Sequence, residues 1–300
     1  MSNQTFLILF LAIPVVFVAL DLWDRHQTRS SRYDGESPRL ETLLFLGSVL
    51  LVYAVLQFGL QSLAPPADRL LVEVRRYFSE VLGQPLNPQP VSGNWLLVIS
   101  VITFYLSGLW DYAIHRWFSH TRWFWFTHEY HHLPNQVFVA MPGLAVRPFA
   151  VVTSFPATFA TVVSAYALLM SLGLPLWDLT PLKIILLAHT FLLVGSHSSF
   201  LRRWWAVHHA MKWLALTTPQ EHLLHHTVDL NGNYGNFTVL WDRVFGTYLN
   251  PLLPEYQNHP LGLGYDQDFL GAITLSQLKL PAWMRERFQV ERYCNVEIGD

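Results

Sequence analysis

Five of the chain's fourteen histidines fall in one stretch, residues 111–132 (DYAIHRWFSHTRWFWFTHEYHH), and three more close a second, residues 221–226 (EHLLHH). Both stretches end in the unit H-x-x-H-H. Positions i, i+3 and i+4 share one face of a helix, so His128, His131 and His132 are expected to point together. The same holds for His222, His225 and His226, each triplet supplying half of a metal cup. Imidazole suits iron, zinc, copper or nickel. With His115 and His120 the set is too large for one first-row ion that keeps a coordination position open, so two metals with four or five histidines each is the economical reading. His115 and His120, five residues apart, lie about 140° apart round an α-helix and are expected to bracket the site or feed different ions.

The boxes contain two carboxylates, Glu129 and Glu221, each beside ligands rather than on their face. A hydrolytic dinuclear centre normally has bridging carboxylates, whereas a nearly all-nitrogen pair suits redox iron. The expected chemistry is dioxygen cleavage and oxidation of an unactivated C–H bond in a lipid chain. Asp111 lies one helical turn before His115, where its carboxylate is expected to accept the second ring N–H of that ligand. Asp242 invites the same reading, or else pairs with Arg243 or caps a turn. The single cysteine, Cys294, excludes an internal disulfide, a thiolate zinc site and a Cys-ligated iron–sulfur cluster, which need two or more. No G-x-G-x-x-G or G-x-S-x-G pattern points to a nicotinamide, flavin or nucleophile-elbow site.

These residues need elements to hold them. A composition of 52% hydrophobic, 15% aromatic and 13% charged residues is that of an integral membrane protein. A net charge of −2 offers no basic field, and nucleic acid is not expected as a partner. Residues 5–20 are apolar with no basic residue before them and no small-residue cleavage site after them, which predicts a retained anchor. Further apolar runs cover 42–67, 95–110, 149–177 and 184–201, and residues 68–82 alternate apolar and charged positions as a helix on the membrane surface does. The expected fold is an all-α membrane bundle of about four to five spans with a cytosolic helical cap. With the amino terminus outside, every one of the nineteen Lys and Arg residues except Arg69, Arg75, Arg76 and Lys183 lies on the cytosolic side, as do both histidine stretches and the carboxyl terminus.

The order H-x4-H, H-x-x-H-H, H-x-x-H-H between apolar segments resembles the fatty acid hydroxylase and sterol desaturase superfamily of membrane di-iron oxidoreductases. Asp111-Tyr112 ahead of His115-Arg116 resembles that family's entry motif, and Thr218-Pro219 before His222 resembles its last box. Asn233-Tyr234-Gly235 and the run from Trp241-Asp242-Arg243 to Tyr248 are similar to its closing signature. The resemblance implies two iron ions per chain and a fatty acyl, sterol or related lipid as substrate, hydroxylated or desaturated. It also implies electrons from an external reductase, ferredoxin or b-type cytochrome, in a bacterial inner membrane or the endoplasmic reticulum. The family carries an extra histidine on the helix before the last box. His197 is the closest match, at a longer spacing than usual, with His189, His208 and His209 as the alternatives. Those that are not ligands are expected as interfacial histidines beside Trp204, Trp205 and Trp213.

Three parts follow: spans and a peripheral helix over 1–94, a catalytic unit over 95–250 and a tail over 251–300. The competing class is a membrane metal-transport or storage protein, which would place ligands near the bilayer midplane on broken helices. Bis-histidine haem would not need H-x-x-H-H twice.

Overall fold

The computed structural model describes residues 2–28, 69–70, 72–81, 83, 93–134, 137, 139, 149, 151–174, 180–256 and 259–287. Among them the chain is helical with no strand; Leu216 with Thr238 and Thr227 with Leu261 form isolated bridges. The apolar run over 42–67 lies outside the described residues.

Among the described residues three stretches are long and apolar enough to cross a membrane: Gln4–Asp24, Gly93–Ser119 and Val152–Ser171. They belong to helices α1 (Asn3–Thr28), α2 (Gly93–Ile114) and α4 (Val151–Ser171), with the short α3 (Glu129–His132) in the first histidine stretch. The expected span over 184–201 becomes α5 (Thr180–Ser196), whose 17 residues reach about 25 Å, short of a hydrocarbon core of about 30 Å. It ends early because His197 and Ser198 turn the chain into the polar cap.

The helices pack through one face each and leave the other apolar face outward, as spans in lipid do. Phe17 and Val18 of α1 bury against Val194 of α5 and Val139. Gly195 permits that approach, since a Cβ there would sit 3.3 Å from the Phe17 ring. At the opposite end Ile99 of α2 packs with Ala165, Tyr166, Leu169 and Met170 of α4. Residues 72–81 are helical, and Val74 and Phe78 close this end while Arg75 donates to the Tyr166 hydroxyl at 3.3 Å.

The cap consists of α6 (Ser199–Arg202), α7 (Trp205–Met211), α8 (Pro219–His225) and α9 (Leu240–Phe245). It binds closely to α2. A Cβ on Gly108 would meet Thr238 Cγ2 at 2.4 Å, and the Trp241 indole donates to the Tyr105 carbonyl at 2.8 Å. Trp117, Trp123, Trp204, Trp205 and Trp213 are exposed around this end, the placement aromatic side chains favour at the headgroup level. Residues 259–287, read from the sequence as part of a tail, dock on the boxes. Gly262 N–H donates to the His226 carbonyl at 3.2 Å, and Leu263 packs on Leu133 and Ala272.

Candidate metal centre

Among the described residues nine histidines converge in two groups at the cap end of the helices. The ring nitrogens of His115, His120, His128, His132 and His225 lie within 4.8 Å of one another, and those of His131, His197, His222 and His226 do the same. All but His120 are buried. The expectation that each H-x-x-H-H triplet forms half a cup is corrected here, because both triplets are divided between the groups. His128 and His132 stay together while His131 crosses over, and His222 and His226 stay together while His225 crosses back. The cause is helical pitch: sequence neighbours diverge by about 100°, so His131 and His132 face different points, their rings 87° apart. His225 and His226 diverge likewise, at 78°.

His115 and His120 also depart from the α-helical expectation. Residues His115–Ser119 form a π-helical turn in which His120 N–H donates to the His115 carbonyl at 3.1 Å. That wider turn brings residues five apart onto one face, with the two Nε2 atoms 3.3 Å apart, so both join the five-histidine group.

The hydrogen bonds on the outer nitrogens indicate what the inner ones do. Nδ1 of His115 donates to the Tyr234 carbonyl, Nδ1 of His197 to Leu193 at 2.6 Å and Nδ1 of His225 to Gly232 at 3.1 Å. A neutral imidazole has one N–H, so these rings present lone pairs at Nε2. Yet Nε2 of His197 lies 3.1 Å from Nε2 of His222, and Nε2 of His115 lies 2.8 Å from Nε2 of His128. Each pair has at least one Nε2 lone pair, and imidazole nitrogens gathered at that spacing in a buried site fit the ligand set of a cation. Burial, with the neighbouring imidazoles, holds His120, His128 and His226 well below the ordinary histidine range, in the neutral form that ligates.

The backbone carbonyls are themselves held by acids. Asp242, fully buried, accepts from Tyr234 N–H at 2.7 Å, Gly235 N–H at 2.9 Å and the Thr247 hydroxyl at 2.8 Å. It thereby fixes the loop whose carbonyl orients His115. Burial pushes its carboxyl up to about 6 against the lowering effect of those donors. Gly235 is required by space, since a Cβ would lie 2.0 Å from the Thr238 carbonyl. Asp111, expected to accept from His115, accepts from Asn236. The Asn236 backbone and side-chain N–H groups donate to Asp111 at 3.1 and 3.0 Å, and its amide nitrogen lies 3.3 Å from His115 Nδ1.

Glu129 and Glu221 turn away from both groups. Glu129 accepts from Tyr265 at 2.6 Å and Gln267 at 3.1 Å; Glu221 accepts from Thr218 and Tyr248. His208 is fully buried rather than interfacial, and its Nδ1 donates to Thr218, the residue that caps α8. His209 is exposed, and His189 stacks flat on Phe237 at 3.7 Å; neither joins a group. The sequence reading missed Asn236, Tyr265 and Gln267. Asn236 directly follows the N-Y-G motif, which was the available signal.

A family model described as fatty acid hydroxylase matches residues 100–247, a segment that holds all nine histidines. The segment belongs to the fatty acid hydroxylase family. Membership carries lipid hydroxylase or desaturase chemistry, an oxidoreductase class and a centre that is typically metal-dependent. No curated protein and no solved structure matches the chain. Within this fatty acid hydroxylase segment Asn236 ties Asp111 to the loop whose Tyr234 carbonyl orients His115. Asn236→Leu is expected to weaken metal binding at the five-histidine group by about 10- to 100-fold and spare the other group. Metal content measured across a chelator titration tests this, and parent-like retention of both ions would refute it.

Proposed function

We propose that the protein is a membrane di-iron oxidoreductase that uses dioxygen and external electrons to hydroxylate or desaturate a lipid. Residues 95–250 form its catalytic unit. His115, His120, His128, His132 and His225 would hold one ion, and His131, His197, His222 and His226 the other. Asp111 and Asp242 keep the first group in place through Asn236 and the Tyr234 carbonyl.

One observation carries the lipid reading. A cavity of about 400 Å³, mostly apolar, lies between α1, α2, α4 and α5. It shares Asp111, Ser154 and Ala157 with a cavity of about 50 Å³ that is lined by His115 and His128. An acyl chain from the bilayer would lie in the first cavity and extend through this neck toward the five-histidine group, its apolar wall excluding water. On the far side of that group a more polar cavity of about 140 Å³, lined by His120, His132 and His225 with Tyr234 and Tyr265, offers a separate aqueous approach.

The nitrogen-only donors and the averted Glu129 and Glu221 favour redox iron over a carboxylate-bridged hydrolytic pair. The chemistry supplied by bound iron is dioxygen-dependent oxidation of an unactivated C–H bond. Electrons would come from a reductase, ferredoxin or b-type cytochrome. Ligands gathered at or beyond the ends of the candidate spans, with His115 in the last turn of Gly93–Ser119, rather than at a midplane break, argue against a transporter.

Lipid profiles of cells with and without the protein should differ by an oxidised lipid. His131→Ala and His225→Ala, one from each group, should each abolish it at equal expression, with the double variant no worse; substantial product from either single variant would refute a shared centre. Ala157→Phe, which fills the neck, should cut product at least about tenfold, about 1.4 kcal/mol in barrier, with metal content unchanged; undiminished turnover would rule out this route. From the loop charges, the boxes and carboxyl terminus are assigned to the cytosol. A reporter fused after Asp300 should read cytosolic, and an extracytosolic signal would invert the assignment.

A further inference from the structure

The first apolar segment reads as an anchor in the sequence, yet it ends in two buried acids, Asp21 and Asp24. Asp24 pairs with Arg203 of the cap. Asp21 does more: its carboxylate takes four donors from elsewhere in the chain. Oδ1 accepts from the Ser198 hydroxyl at 2.6 Å and Phe200 N–H at 3.1 Å. Oδ2 accepts from Ser199 N–H at 3.2 Å and Val139 N–H at 3.0 Å.

Three of those donors belong to the residues that directly follow His197. There α5 stops and α6 begins, leaving the first N–H groups of α6 without helical partners. The Ser198 hydroxyl accepts from Leu201 N–H at 3.2 Å and donates its own proton to Asp21, while Asp21 takes up the next two N–H groups. A carboxylate at a helix start is also favoured by the local dipole. His197 is therefore gripped from two sides. Its Nδ1 donates to Leu193 within α5, and the backbone just beyond it is tied to α1. Only in that position does its Nε2 meet Nε2 of His222 at 3.1 Å.

We propose that Asp21 is a positioning residue for the four-histidine group, which makes the first membrane helix a working part of the centre. The matched family segment begins at residue 100 and so contains nothing of α1. The inference rests on the reading that both groups hold metal.

The test loads purified full-length protein with ferrous iron without oxygen and measures bound iron across a chelator titration. The parent is expected to hold close to two ions. Asp21→Asn keeps the size of the side chain but replaces an acceptor oxygen by a donor nitrogen, and should weaken one ion about 10- to 100-fold while the other stays at parent affinity. Adding His225→Ala to Asp21→Asn should remove that second ion, which locates it in the five-histidine group. Ser198→Ala, which removes one of the four bonds, should weaken the same ion less and decides the matter if Asp21→Asn does not accumulate. Phe6→Ala, on the same helix about four turns before Asp21, should keep both ions. A parent without iron would defeat the di-iron reading. A parent with two ions alongside Asp21→Asn and Ser198→Ala variants that keep both at parent affinity would overturn this inference alone.

Discussion

Nine imidazoles turned inward on two points, their outer nitrogens engaged by backbone carbonyls where those bonds are made, are what the cap is built around. Their Nε2 atoms come within about 3 Å of one another, His197 to His222 and His115 to His128. A cation bound by these nitrogens would contribute to folding as well as to chemistry. Around it the chain spends its buried acids on geometry. Asp242 and Asp111 hold the loop at 234–236, and Glu221 closes the capping box with Thr218 that starts α8.

The site's position at the end of the helices follows from the same physics. Imidazole groups with polar surroundings are costly in hydrocarbon, whereas at the membrane boundary one side faces lipid and the other water. On one side the five-histidine group borders a small cavity that shares Asp111, Ser154 and Ala157 with the larger, mostly apolar one between α1, α2, α4 and α5, and it borders another cavity against residues 228–232 and 262–265. The four-histidine group is wholly buried, whereas His120 of the five-histidine group is half-buried.

Helix geometry accounts for the way the boxes cooperate. Residues one apart on a helix point about 100° apart, so a consecutive pair such as His131 and His132 reaches two centres. Two such pairs facing one another build both groups, with each box contributing to each. The π-turn after α2 and the sharp turn after α5 then deliver His120 and His197, which no regular α-helical register would have brought in.

Residue types and local spacing were legible in the sequence, because apolar runs of span length, H-x-x-H-H units and an absence of further cysteine are facts about single segments. They determined an all-α membrane class, nitrogen donors and the family likeness that residues 100–247 bear out. Partition of the donors was not legible. It depends on a π-turn at His115–Ser119 and on the crossing of His131 and His225, which meet their groups only through packing between distant segments. Asp21 shows the limit most plainly. In the sequence it is an acid at the end of an anchor, and its four partners lie more than a hundred residues away, where only the tertiary structure brings them together.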